Sequence, residues 1–506
     1  MSLPDWTRKH KEPRTEIKRI KNGFYKYEVA YPYSIERKRS VKKTIRLLGK
    51  ITEKDGFIPS SKDTLRKAAV EPPAVDIKTF GVAALFEELM KEEAVSLANA
   101  FGPQNANQLL SFAMTRWAHQ SPIKRAPLHH ARDFISELRP AGQVTERSVS
   151  ACLRRFGENR QNVVEWMKTL LPKAAPGEQE FILMDSTSTP SASENLGVNA
   201  VGRGSGAAPE RQVRSMYIGS ARLRQPVYYR LVNGNITDVK SMALCVRESG
   251  VGRGAVCVAD KGFYSAANIA LLEEEGISHI IPLHRGNLLI DYGPLQEAGF
   301  KKRAGHFLWQ DRVIWHYSYE RDGRAMTTYL DETLMLREER DYLGRMATHP
   351  ETHTREGFDE KSHRFGTLTL IHNLAPQPVS GGGAKASGAA PATSLAQTVY
   401  ESYKLRGEIE VMFDSYKNHL AADATYMRDR HVLEGWLFAN FLAMIAHFRL
   451  MSRLRDAKLL SQYSPKDILE LCKSIYKFKI KGQWQRSEIT EKTRKLFARI
   501  KVDSLT

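Results

Sequence analysis

The sequence predicts an α/β protein. It has a mixed-sheet core, a mainly β insertion domain within that core, and a small β module and a helical region ahead of it. Three observations lead to this. Short apolar runs end in an acid and give way to helical patterns, as in FILMDST (Phe181–Thr187) and GAVCVADKGFYS (Gly254–Ser265). Strand-like texture returns between about residues 286 and 376 before helices resume. At 506 residues the chain is also too long for one ordinary core.

Residues 1–72 form a basic, β-rich stretch. FYKYEVAY alternates like a strand, and KTIRLLGKI reads as its hairpin partner. A module touching a DNA backbone and a solvated hairpin both fit. Residues 73–175 read as helices, from VAALFEELMKEEAVSLANAF to NRQNVVEWMKTLL, and suit a region binding DNA ends. His129 and His130 lie in the basic connector SPIKRAPLHHARDF. Neighbours on a helix face different ways, so they are not expected to share a metal.

Residues 176–285 carry the first part of the core. FILMDST is a buried strand, RSMYIGSARLRQPVYYRLV is two strands with a turn at RLRQP, and VKSMALCVRESG is a helix. The strand AVCVAD, the helix SAANIALLEEEG and the strand SHIIPL follow. In residues 286–395, HFLWQDRVIWHYSYE, RAMTTYLDETL and RFGTLTLIHNL read as β, with a charged helix at LMLREERDYLGRM. The stretch ends in PVSGGGAKASGAAPATS, whose composition suits a linker or loop. Residues 396–452 return to the core with a helix around YKLRGEIEVMFDSYK and a buried helix at GWLFANFLAMIAHFRL. Residues 453–506 read as a helical tail that could contact DNA or a second subunit.

Lys and Arg number 76 against 57 Asp and Glu, a net charge of +19 that favours a polyanionic partner, most simply nucleic acid. The four cysteines are scattered, so neither a zinc site nor a disulfide framework is expected, and a reducing cytoplasm fits. The N-terminus lacks an apolar signal core, and no apolar run reaches the ~18 residues of a membrane span.

Asp185 and Asp260 each stand at the end of a strand-like run, where ligands collect in open α/β sheets. Two aspartates brought together there repel unless a cation lies between them, and hard divalent ions suit carboxylate oxygens. Each alone reads first as a turn or helix-cap residue, and two such strands in a basic protein bring the site reading level with that one. A third acid can be sought in YKLRGEIEVMFDSYK. At about 100° per residue, Tyr403, Arg406, Glu410 and Lys417 fall within an arc of about 60°, with Asp414 beside them. Glu408 falls on the far side, and Leu405, Ile409 and Met412 form the core face. Periodicity alone also fits a solvated amphipathic helix.

These residues resemble a family. Tyr403, Arg406, Glu410 and Lys417 match the Y-x2-R-x3-E-x6-K signature of DDE transposases of the insertion-sequence-4 type. FILMDST resembles the strand of their first aspartate, ADKGFYS their second-aspartate motif, and NGNITD (Asn233–Asp238) a segment found between the two. The resemblance covers about residues 180–450. It implies an RNase H-like core interrupted by a mainly β insertion domain. It also implies a metal site of Asp185, Asp260 and Glu410 holding two Mg²⁺ ions, with Mn²⁺ able to substitute. Tyr403, Arg406 and Lys417 would contact DNA. Trp309 and Trp315, six apart and sharing a face if they lie on one strand, are candidates for stacking on a flipped base, with packing in the core as the alternative. The implied activity is cleavage at transposon ends and strand transfer by a prokaryotic, cytoplasmic, nucleoid-associated enzyme. Its partners would be double-stranded DNA at terminal inverted repeats, target DNA and a second copy of the chain. An RNase H-like nuclease without strand transfer and a domesticated, non-catalytic DNA-binding protein are the alternatives.

Overall fold

The computed structural model describes residues 3–34, 39–60, 76–171, 179–202, 210–375, 394–422 and 424–506. The Gly/Ala/Ser-rich linker falls almost wholly outside these residues. The chain divides into two compact units, residues 1–76 with 478–485, and residues 77–477 with 486–506.

The first unit is built on a four-stranded antiparallel sheet: β1 (Thr15–Ile20), β2 (Gly23–Ala30), β3 (Lys43–Thr52) and β4 (Gly56–Pro59), in that spatial order. The expected pairing of FYKYEVAY with KTIRLLGKI is therefore present. Ile17, Val29 and Ile51 are buried in it. Lys26 is buried as well, with its ammonium 2.7 Å from Glu12, as a buried charge requires.

In the second unit, ten strands among the described residues form one sheet. In chain order its main strands are β5 (Phe181–Pro190), β6 (Glu210–Ser220), β7 (Gln225–Val232), β8 (Val256–Ala259) and β9 (Ser278–Pro282), then β10 (Gly305–Trp309), β11 (Arg312–Arg321), β12 (Arg324–Asp331) and β13 (Thr367–His372). Their spatial order is β7-β6-β5-β8-β9-β13-β12-β11-β10, and the short strand Ala200–Gly202 pairs with β6. β5, β8 and β9 run parallel, and the other pairings are antiparallel. The sheet is thus mixed, as the sequence predicts. The strands of residues 286–395 continue the core sheet from β9. β8 is buried along its whole length, which explains why its sequence is a continuous apolar run rather than an alternation.

The main helices of this unit are α1 (Pro103–His119), α2 (Glu146–Glu158), α3 (Asp238–Ser249), α4 (Glu332–Thr348), α5 (Leu395–Lys404), α6 (Gly407–Asp414) and α7 (Arg430–Asp456), and α1 and α2 pack on α7. α7 contains the predicted buried helix and is the centre of the packing. Gly157 of α2 and Gly435 of α7 let the two helix backbones touch: a Cβ at Gly157 would lie 2.0 Å from the His431 carbonyl oxygen, and one at Gly435 2.0 Å from that of Leu153. Buried Arg116 of α1 donates to Asn440 of α7, to the Ser121 carbonyl and to the Leu420 carbonyl, and so anchors the chain just beyond α6. No helix among the described residues is long and apolar enough to cross a membrane.

Two expectations need correction. VAALFEELMKEEAVSLANAF is two helices, Gly81–Leu89 and Lys91–Phe101, because the backbone leaves helical geometry at Met90 (φ −108°, ψ 17°). The tail is not all helical, because it also carries the short strands Tyr476–Ile480 and Gln483–Arg486. YKFKI alternates at the strand period, a signal the helical reading passed over.

Candidate active site

The two aspartates are brought together by strand register. β5 and β8 pair in parallel, with Met184 opposite Ala259. The next residue on each chain is an aspartate, so Asp185 and Asp260 leave the pair side by side. Asp185 is not at a strand end, however. β5 runs on to Pro190 because its other edge stays paired with β6, where Asp185 faces Tyr217. Only β8 stops, and Asp260 directly precedes the short 3₁₀ turn Lys261–Phe263 without a side-chain capping bond to it.

The expected single helix at residues 403–417 is broken. α5 ends at Lys404, α6 starts at Gly407, and Ser415–His419 form a π-helical turn. Around the break the backbone bonds tighten to i→i+3: Leu405 N–H to Ser402, Arg406 to Tyr403, Glu408 to Leu405 and Ile409 to Arg406. Gly407, a weak helix former, lies in this stretch, and a Cβ there would meet nothing within 4 Å. The break corrects the core face: Ile409 and Met412 are buried, but Leu405 is exposed.

The division between the glutamates is present in the geometry. Glu410 lies 2.7 Å from Nη1 of Arg406, on the same side as the aspartates. Glu408 pairs instead with Arg455 of α7 at 3.1 Å. Arg406 is shared: its Nη2 lies 3.4 Å from Asp185 and 3.7 Å from Asp260. One guanidinium therefore faces all three acids. Asp414 points elsewhere and accepts from Asn418. Lys417 sits half-buried in the π-helical turn and forms no ion pair with the three acids.

Tyr403 is half-buried beside this cluster. It lines a cavity of about 420 Å³ with Asp260, Lys261, His284, Arg285 and Glu338. Arg285 is held at the wall by a bidentate pair with Glu338 (2.8 and 3.0 Å). Burial, with Asp260 and Glu410 nearby, pushes the Tyr403 phenol up and keeps it neutral.

The tryptophans do not share a strand. Gln310 and Asp311 both adopt positive φ (46° and 62°) and close a two-residue hairpin between β10 and β11, with Trp309 opposite Arg312 and His306 opposite Trp315. The two rings therefore lie on opposite faces of the hairpin. Trp309 packs edge-on to Tyr400 of α5, and Trp315 donates to Glu332. Both are half-buried.

Electrostatically the cluster favours a cation. Burial, with Asp260 and Asp238 nearby, raises Asp185 to about 6, although the Ser186 N–H and Arg406 act against this. Oxygen donors of this kind suit a hard divalent ion. Asp185 and Asp260 fit such an ion because they reach one and the same nitrogen. Glu410 reaches the other nitrogen of the guanidinium, and no three acids or histidines among the described residues converge closely enough to form a ligand set.

Ser186, Arg214 and Asp238 were not among the expected site residues. Ser186 Oγ donates to Asp238 (2.7 Å) and accepts from Arg214 Nε (3.0 Å), directly behind Asp185. The available signal was NGNITD, which contains Asp238 and was recognised only as a motif.

Among curated proteins no relative matches this chain. Among solved structures it is similar to one described as a cryo-EM structure of the piggyBac transposase synaptic complex with hairpin DNA. The identity is 9%, the TM-score is 0.35, and 78% of this chain and 79% of that one are covered. A likeness at that level bears on neither the site nor the substrate. The family described as a transposase DDE domain matches residues 176–446, the segment that carries Asp185, Asp260, Arg406 and Glu410. That match spans more than half of the chain, and the chain belongs to the DDE transposase family.

Proposed function

We propose that this chain is the transposase of a bacterial or archaeal insertion sequence of the insertion-sequence-4 type. It cuts DNA at transposon ends and transfers the freed strand. The observation that carries the proposal is the pairing of Met184 with Ala259, which sets Asp185 and Asp260 side by side under a cation that Glu410 also contacts.

Asp185, Asp260 and Glu410 are the residues that would hold two Mg²⁺ ions, or Mn²⁺ in their place. When bound, such ions activate water and stabilise the leaving oxygen of an in-line displacement. The chain's own part is to position and to neutralise. Arg406 offers a planar fork to a phosphate, Lys417 a point charge, and Tyr403 a neutral hydroxyl and ring to the terminal backbone. The first displacement frees a 3′-OH at the end. In the second, that 3′-OH attacks the opposite strand or target DNA, without a covalent enzyme intermediate. Three antiparallel strands, β7-β6-β5, followed by the parallel strands β8 and β9 support an RNase H-like core. The net charge of +19 supports nucleic acid as the partner. Residues 1–72 and 73–175 are assigned to recognition of the terminal inverted repeats, and a homodimer to pairing of two ends. Trp309 and Trp315 lie on opposite faces, so at most one of them stacks on a flipped base.

A joining assay tests this reading. Pre-cleaved ends carrying the inverted repeats that flank the coding sequence should be joined to target DNA with Mg²⁺. Cleavage without joining would favour a nuclease, and binding with neither reaction a non-catalytic DNA-binding protein.

A further inference from the structure

Asp185 and Ser186 are neighbours on β5 and point to opposite faces of the sheet. Asp185 faces Arg406, and Ser186 faces the start of α3, where Asp238 is the first residue. Three bonds converge there. The Ser186 hydroxyl donates to Asp238 Oδ1 at 2.7 Å, Arg214 Nε donates to the same hydroxyl at 3.0 Å, and Arg214 Nη2 donates to Asp238 Oδ2 at 3.1 Å. Arg214 Nη1 also donates to the Ile236 carbonyl at 3.0 Å, which fixes the loop leading into α3. On the other side of the peptide, the Ser186 N–H donates to Asp185 Oδ1 at 2.7 Å.

Asp238 also abuts the element that carries the second aspartate. A Cβ at Gly262, two residues after Asp260, would lie 3.1 Å from Asp238 Oδ2. A side chain at this glycine would crowd the Asp238 carboxylate, so the turn and the carboxylate lie close together. Asp238 thus holds the strand of Asp185 through Ser186 and lies against the turn that follows Asp260.

We propose that Asp238, acting through Ser186, is a positioning residue that sets the separation of Asp185 and Asp260 for a divalent cation. This rests on the reading of those aspartates as metal ligands. Arg214 balances the charge of Asp238 and holds its plane. Outer-shell partners of this kind typically change metal affinity by 10–100-fold when removed.

The test is Mn²⁺ binding by the full-length chain, followed by electron paramagnetic resonance, with thermal unfolding and DNA-end affinity measured alongside. Ser186→Ala and Asp238→Ala should each weaken Mn²⁺ binding about tenfold or more, with little change in unfolding temperature or DNA affinity. Ser186→Thr, which keeps the hydroxyl on a strand, should restore wild-type binding and so decides the matter if Asp238→Ala does not fold. Folded Ser186→Ala with wild-type Mn²⁺ affinity, in a chain where Asp185→Ala abolishes binding, overturns the positioning role alone. Mn²⁺ binding indifferent to Asp185→Ala overturns the site reading and this proposal with it.

Discussion

Met184 and Ala259 are register partners in adjacent parallel strands, and each is followed by an aspartate. Two motifs 75 positions apart in the chain are thereby placed side by side at one point of the sheet. Arg406 answers the resulting charge, with Nη2 3.4 Å from Asp185 and 3.7 Å from Asp260 and Nη1 2.7 Å from Glu410.

On the proposed reading, a divalent ion and the Arg406 guanidinium draw on the same carboxylates and compete for them. Arg406→Ala is expected to bind Mn²⁺ several-fold more tightly than the wild type, because a positive charge has left the site. It is also expected to cleave DNA ends less well, because the proposed phosphate contact is lost. Calorimetric titration of both proteins measures the first effect, and weaker Mn²⁺ binding in Arg406→Ala would contradict the competition.

Glu410→Gln should abolish Mg²⁺-dependent cleavage, and Glu408→Gln should leave it in place. Glu408 spends its charge on Arg455, a partly exposed pair worth about 1 kcal/mol or less. Cleavage assays on the two purified variants compare them directly. The opposite pattern would mean that the broken helix presents the other glutamate when DNA is bound.

Asp185 makes stability depend on pH. Burial, with Asp260 and Asp238 nearby, raises its folded value to about 6 from 3.8. Between those values the folded chain holds a proton that the unfolded chain has released. The contribution of this group therefore falls as pH rises through the window, by up to about 3 kcal/mol at ~1.36 kcal/mol per pH unit. Asp185→Asn cannot titrate. Measured by denaturant unfolding without divalent ions, its stability relative to wild type should be greater at pH 7 than at pH 4. Parallel curves would refute the raised value.

Gly435→Ala should destabilise the fold by about 1–3 kcal/mol, since its methyl group would press into the Leu153 carbonyl where α2 crosses α7. Chemical denaturation gives the number. A neutral result would show that the two helices can separate without loss.

The motifs of the site were legible because each depends on local sequence. The apolar runs before Asp185 and Asp260 are short and unbroken, which marks strands buried on both faces. The helical period separated Glu410 from Glu408. What the sequence did not reveal depends on backbone detail or on distant partners. The i→i+3 turn at Leu405 and Arg406 shifts the helix phase, so Leu405 left the face assigned to it. Gln310 and Asp311 are not the usual residues of a two-residue hairpin, so Trp309 and Trp315 were free to be read as one strand. The continuation of β5 past Asp185 depends on β6 pairing along its edge, which no local pattern announces. The bracing of Ser186 by Asp238 spans 52 positions and joins a strand to a helix start.

On the proposed reading, Asp185 and Asp260 work together on DNA. The most direct test is Mg²⁺-dependent cleavage of duplexes made from the DNA that flanks the coding sequence, measured for wild type, Asp185→Ala and Asp260→Ala beside their affinity for the same duplexes. Cleavage is expected from the wild type only, with DNA binding kept in all three. Cleavage by either variant at the wild-type rate would contradict it.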